Sequence, residues 1–189
     1  MATVINVESL NQLTSEAFYQ LCLANPDIPM EKSPQGELII MSPVGGESGN
    51  REANLIADLI FWNRQYKLGQ VFSSSTIFKL PNGGDCSPDV SWVLQSKWDS
   101  LTAEEKKKFP PICPDFVMEL RSEGDRLKPL QEKMEEYLNS GLKLGWLINP
   151  QDREAEIYHH QKPRTVVNMP CLLSGEEVLP NFALEVDFS

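Results

Sequence analysis

Two short apolar segments that each carry an internal acidic residue constrain this chain more than any other feature. Asp89 lies in the segment SPDVSWV, and Glu119 lies in the segment PDFVMELRS. Both segments are rich in the β-branched and aromatic residues of strands. The two carboxylates can meet if these strands are neighbours in one sheet. With Arg121 close behind Glu119 and Lys133 on the next predicted helix, the pattern predicts acids and cations converging on a sheet, as a divalent metal and a phosphodiester require.

Strand alternation predicts which side chains share a face. Val117, Glu119 and Arg121 lie on one face of their strand, and Asp89 and Ser91 share a face of theirs. Two interpretations of these faces stay open at this point. Each strand has one solvated face to which the acids simply point, or the two acids face each other in a functional cluster.

Lys133 favours the second interpretation. It lies three residues after Leu130 and four before Tyr137, so it borders the apolar stripe of its predicted helix. One explanation is that its aliphatic stem covers apolar surface while the ammonium reaches water. The other is that the helix returns over the sheet and directs the amine to the carboxylates, where a cation stabilises charge on a phosphoryl oxygen.

Length and composition indicate one globular domain. The chain has 189 residues, of which 41% are hydrophobic and 23% charged. We expect no membrane association, because no apolar run approaches a span of about 20 residues, and no signal peptide is recognisable at the N-terminus. The scattered cysteines form neither a metal motif nor a disulfide framework, which predicts free thiols in a cytoplasmic protein; they are Cys22, Cys86, Cys113 and Cys171.

A net charge of −10 counts against loose electrostatic binding of nucleic acid. Such binding comes largely from lysine and arginine neutralising phosphates. Bound cations and a local basic patch can offset the overall field, so an acidic nuclease is not excluded.

The order of predicted elements favours an α/β or α+β fold with a mixed sheet. We predict a single domain over residues 1–189, with an N-terminal helix at 8–25 as an appendage and a β-rich C-terminal segment at 153–189. The other main predictions are helices at 50–65 and 127–140 and strands at 36–41, 71–80, 144–148 and 177–179. The strand at 71–80 and the Asp89 strand are expected to form a hairpin.

Several blocks in a fixed order give the chain a specific resemblance. From about residue 42 to its end, it resembles the Uma-two family of restriction-endonuclease-like proteins, a branch of the PD-(D/E)XK nuclease superfamily. The residues that carry the resemblance are 45–51 (GGESGNR), 72–76 (FSSST), 80–83 (LPNG), 87–92 (SPDVSW), 113–122 (CPDFVMELRS), 130–137 (LQEKMEEY) and 144–150 (LGWLINP).

The resemblance implies a mixed β core flanked by helices and a Mg²⁺- or Mn²⁺-dependent endonuclease site acting on DNA. Asp89 and Glu119 match the two superfamily acids that hold the metal. A further acid often comes from the first core helix. Helical geometry favours Glu52 for this position, whereas the block pattern favours Glu47, which we take as the third predicted metal ligand.

One position departs from the superfamily pattern. Arg121 stands where the signature lysine is expected, and an arginine cannot accept a proton. Lys133 is therefore predicted as a migrated replacement, with Arg121 retained as a candidate catalytic residue. If neither reaches the metal, the domain is a degenerate relative that binds nucleic acid or protein without cleaving it. A homodimer is an expectation from fold analogy alone.

Overall fold

The computed structural model describes residues 3–5 and 13–188, which form five helices and thirteen strands in three sheets. The helices are α1 (Ser15–Ala24), α2 (Gly46–Tyr66), α3 (Gln95–Asp99), α4 (Ala103–Lys107) and α5 (Leu127–Asn139). The strands are β1 (Thr3–Ile5), β2 (Met30–Lys32), β3 (Leu38–Ile40), β4 (Gly69–Ser73), β5 (Phe78–Lys79), β6 (Asp85–Cys86), β7 (Val90–Leu94), β8 (Phe116–Leu120), β9 (Leu144–Asn149), β10 (Glu154–His159), β11 (Thr165–Asn168), β12 (Cys171–Ser174) and β13 (Ala183–Val186).

The central sheet is mixed and has the strand order β11-β10-β9-β8-β7-β4. Strands β8 and β9 run parallel, because α5 connects them as a crossover, and the other described pairs in this sheet are antiparallel. This arrangement confirms the predicted α/β class with a mixed sheet flanked by helices.

Both faces of the central sheet are covered. On one face, Trp92, Phe116 and Met118 pack with α2 and with the ribbon formed by β12 and β13. On the other face, Val93 and Val117 pack beneath α5. The predicted alternation of faces is confirmed, and the interpretation of one solvated face is wrong, since α5 and its neighbours bury the side that carries the acids.

A second sheet has the strand order β1-β3-β2-β6-β5. Helix α1 packs on it through Phe18, which is fully buried against Met30 and Leu38. Thr14 caps this helix by accepting a hydrogen bond from the Ala17 amide. Residues 8–12 of the predicted appendage lie outside the described residues.

Some predicted elements differ from the structure. The predicted strand at 71–80 divides into β4 and β5, which belong to different sheets, although β4 does pair with β7 as expected. The predicted strand at 177–179 is wrong, because these residues form a turn between β12 and β13. The helix predicted at 50–65 begins earlier, at Gly46.

All four cysteines are free, as predicted. No helix among the described residues is both long enough and apolar enough to cross a membrane.

Candidate active site

The two acids singled out in the sequence lie next to each other where β7 begins. Glu119 lies in β8, and Asp89 immediately precedes Val90, the residue of β7 that pairs with Met118. Asp89 also accepts a hydrogen bond from the Leu120 amide through Oδ2, at 2.7 Å. The main chain of β8 therefore fixes one carboxylate beside the other.

Helix α5 brings Lys133 to this pair. The helix ends at Asn139 with Ser140 as its C-cap, and Gly141 follows with a φ of +102° that glycine adopts readily. Met134 and Tyr137 bury the apolar face of the helix. The Lys133 ammonium lies 3.0 Å from Glu119 Oε1, and its side chain is only 12% exposed. An ammonium that extends to bulk water is thereby excluded.

A third buried carboxylate, which the sequence analysis did not identify, completes the surroundings of the lysine. Glu31 Oε1 lies 2.9 Å from Lys133 Nζ and accepts a hydrogen bond of 2.8 Å from the Ser87 amide. Glu31 comes from the three-residue strand β2 of the second sheet. So short a strand has no periodicity to mark its acid, and no motif signals its approach to β8.

The donors around Glu119 converge on one of its two oxygens. The Tyr137 hydroxyl donates to Glu119 Oε1 at 3.0 Å, the same atom that Lys133 contacts. Within the described part of the chain, Glu119 Oε2 and Asp89 Oδ1 have no hydrogen-bond donor. Each acid of the pair thus keeps one oxygen for another ligand.

Burial and mutual repulsion shift the protonation of the pair. Burial, followed by the charge of Glu119, raises the pKa of Asp89 well above its ordinary value. Burial also raises the pKa of Glu119, although Lys133 opposes this shift. Such carboxylates are stabilised when a cation binds between them.

Lys133 is held in its charged form. Burial alone would lower its pKa, but the charges of Glu119 and Glu31 outweigh burial and raise the pKa well above its usual value. Its three N–H donors are directed to Glu31, to Glu119 and to the Ser87 carbonyl oxygen, the last at 3.2 Å. The residue is a fixed positive charge beside the acid pair and not a base.

Arg121 has a different set of partners. Its guanidinium donates to Asp152 at 2.8 Å, to Asn149 Oδ1 at 3.2 Å and to the Asp125 carbonyl at 3.2 Å. These contacts join the end of β8 to the turn after β9. Neither Asp89 nor Glu119 is among the contacts described for Arg121, so its catalytic role stays a prediction.

The two candidates for the third acid lie in different surroundings on α2. Glu47 is in the first turn, is 77% exposed and pairs with Arg51. Glu52 is partly buried and accepts a hydrogen bond of 2.6 Å from the Ser74 hydroxyl, and Ser74 in turn accepts one from Ser87. The negative charge of Glu52 also raises the pKa of Asp89. These contacts connect Glu52, and not Glu47, to the acid pair.

The carboxylate oxygens of Asp89 and Glu119 are ligands of the kind that a hard divalent cation prefers. The described residues contain no group of three or more His, Cys, Asp and Glu side chains placed to enclose a metal. Mg²⁺ needs no such cage, since it keeps several waters and binds through one or two carboxylates. The unpaired oxygens of Asp89 and Glu119 fit that requirement.

The mixed sheet, with one acid just before β7 and the other in β8, defines a restriction-endonuclease-like fold. A solved structure with this architecture is "a putative nuclease belonging to DUF820" from Anabaena variabilis ATCC 29413. It superposes with a TM-score of 0.71 at 18% sequence identity, covering 82% of this chain and 86% of that chain.

The chain belongs to the Uma2 family, described as "Putative restriction endonuclease", whose profile matches residues 15–187. The resemblance found in the sequence is thereby confirmed. A comparison with curated proteins gives no match.

Proposed function

We propose that this protein is a metal-dependent endonuclease that hydrolyses phosphodiester bonds of DNA. The observation that carries the proposal is the pair Asp89 and Glu119, with Asp89 bound to the Leu120 amide and the Lys133 ammonium 3.0 Å from Glu119. Family membership supports nuclease chemistry, and DNA is the substrate that the family's description implies.

Asp89 Oδ1 and Glu119 Oε2 would hold the cation, which we take to be Mg²⁺ or Mn²⁺. When bound, such an ion acts as a Lewis acid on a phosphate oxygen and lowers the pKa of water. The Leu120 amide and the Tyr137 hydroxyl keep the two carboxylates oriented by occupying their other oxygens. Burial raises the pKa of Tyr137, so it stays protonated and remains a donor.

Lys133 stabilises the charge that develops on the phosphoryl group. It acts as a cation, because two carboxylates keep it protonated. The Ser87 carbonyl is its most distant partner, at 3.2 Å, and is neutral. A phosphate oxygen can replace that carbonyl while Glu31 and Glu119 keep their contacts.

Glu52 is our proposed third acid, in place of Glu47. Its hydrogen bond through Ser74 to the segment that precedes Asp89 supports a role in orienting that segment or a water next to it. Glu47 is separated from this network and pairs with Arg51 at the surface.

The decisive experiment combines calorimetry with plasmid cleavage. We expect wild type to bind Mn²⁺ and to nick plasmid DNA in Mg²⁺. Asp89→Ala should lose Mn²⁺ binding, and Glu119→Gln should reduce cleavage below detection. Lys133→Met should reduce kcat by roughly 10²–10³, the cost of losing one group that stabilises transition-state charge.

Three further variants test the other candidate residues. Glu52→Gln should impair cleavage about tenfold or more, whereas Glu47→Gln should not, and Arg121→Gln should retain cleavage within about tenfold once folding is verified. Unchanged cleavage by Glu119→Gln would sink the proposal. If wild type binds no metal but binds DNA, the domain is instead the non-catalytic binding module that Arg121 at the signature lysine position leaves open.

A further inference from the structure

Glu31 is a buried charge without an assigned role. Its side chain is 4% exposed, and it enters the site from the second sheet, not from the sheet that carries Asp89 and Glu119. One of its oxygens, Oε1, accepts from both the Lys133 ammonium and the Ser87 amide. The residue thus contacts the catalytic lysine and the segment that leads into Asp89 at the same time.

The Glu31 carboxylate lies among other acids. Its negative charge acts on Glu119 and on Glu136 of α5. Burying one more acid among acids costs stability unless the pairing is very good. A neutral amide could accept the same hydrogen bond from Ser87. The hydrogen bond from Ser87 therefore does not require a negative charge at this position, whereas the ion pair with Lys133 does.

Lysine has a flexible four-carbon stem, so its ammonium lies wherever its partners hold it. Here Glu31 and Glu119 contact it at nearly equal distances, 2.9 and 3.0 Å. Without the charge of Glu31, the ammonium would keep its contacts with Glu119 and the neutral Ser87 carbonyl, and Glu119 would be the one carboxylate left among these three partners. The ammonium would then compete with a divalent cation for that carboxylate.

We propose that Glu31 is a positioning residue that shares Lys133 with Glu119 and so keeps Glu119 available to the metal. This inference rests on the proposed function, because it concerns the same metal pair. Glu31 does not bind the metal or the phosphate. It acts through Lys133, and its effect depends on that lysine.

A double-mutant cycle on Mn²⁺ binding tests this dependence without requiring cleavage. Glu31→Gln should weaken Mn²⁺ binding about tenfold in the wild-type background, a coupling of ordinary size for residues in direct contact. In the Lys133→Met background, the same change should weaken binding less than about threefold, since no ammonium remains to move. Lys133→Met alone should tighten binding.

The chain offers a matched control in Glu156. This glutamate is also buried on a strand, is also paired with a cation, Arg164, and also contacts α5, through Gln131. Glu156→Gln should leave Mn²⁺ affinity within about twofold of wild type while lowering the unfolding temperature. Thermal unfolding of every variant verifies that the protein titrated is folded.

The outcomes separate the two proposals. If wild type binds Mn²⁺, and Glu31→Gln has no effect or has the same effect in both backgrounds, Glu31 is a structural residue and the inference falls alone. If wild type binds no Mn²⁺ at all, the metal site itself is refuted and the inference falls with it. A tenfold loss confined to the background that contains Lys133 supports both.

Discussion

The pKa of Glu136 shows how strongly the charges of this site act on a single residue. It lies on α5, one turn after Glu132, and is partly buried. Burial, followed by the negative charge of Glu31, raises its pKa to about 7. In an unfolded chain a glutamate has a pKa of about 4.3. The folded protein therefore binds an extra proton at this residue between those two values.

The sign of the resulting pH dependence follows from linkage. A carboxyl whose pKa is raised by folding destabilises the protein progressively as pH rises from about 4 to about 7. Glu136→Gln should leave the free energy of unfolding unchanged near pH 4 and increase it by about 1 kcal/mol at pH 8. Urea denaturation at the two pH values measures the difference. An equal change in the free energy of unfolding at both pH values contradicts a raised pKa for Glu136.

At the same scale, the sequence identifies Asp89, Glu119 and Lys133 as converging residues, and the structure brings them together. Each lies in an element with a clear period or in a recognisable block. Glu31 was not predicted, because its contact with Lys133 joins residues 102 positions apart and nothing in a three-residue strand announces it.

Among the elements, α5 and β9 pack closely enough to need a glycine. A Cβ placed on Gly145 would come within 2.4 Å of Met134 Cε, the end of a flexible side chain on α5. A Cβ on Gly69, in β4, would meet the Val93 carbonyl oxygen at 2.2 Å and the Trp92 ring at 2.5 Å. The Met134 side chain can move away from a Cβ on Gly145, whereas the Val93 carbonyl oxygen that faces Gly69 belongs to the backbone.

We expect Gly69→Ala to destabilise the protein by more than about 3 kcal/mol and Gly145→Ala by about 1–3 kcal/mol, the usual range for overpacking. Gly45→Ala is the control, because a Cβ there has no atom within 4 Å. Thermal or chemical unfolding of the three variants shows which of them is destabilised most. If Gly145→Ala costs more than Gly69→Ala, Met134 is not free to move.

Elements of good length and period were predictable, whereas the short ones were not. Helices α2 and α5 and strands β8 and β9 carry enough residues to display their patterns. Strands β5 and β6 have two residues each, and they pair within a sheet assembled from distant parts of the chain. The turn at 177–179 resembles a strand in composition, but Leu179 packs in the main core without joining a ladder.

For the whole molecule, the net charge of −10 opposes the approach of DNA. A divalent cation at the acid pair would offset much of the local negative charge, because the two carboxylates gain a doubly charged partner. DNA binding should therefore require the ion more than it requires surface lysines.

We predict that millimolar Ca²⁺, another oxygen-preferring divalent ion, tightens binding of a short duplex about tenfold or more over EDTA in wild type and not in Asp89→Ala. Binding in EDTA should be weak and should fall steeply with added salt, as expected of non-specific contacts. Fluorescence anisotropy measures both the effect of Ca²⁺ on duplex binding and the salt dependence of binding in EDTA. Tight binding in EDTA contradicts the proposal.

The placement of Asp89 beside Glu119 has an evolutionary consequence. Asp89 is held by the main-chain amide of Leu120, a donor that every amino acid except proline supplies. Mutations that repack either core cannot easily change it, but one substitution of a carboxylate by an amide removes its charge and leaves the scaffold intact. Under the proposed function, a lineage with this domain can thus give up hydrolysis in a single step and reuse the same surface for recognition.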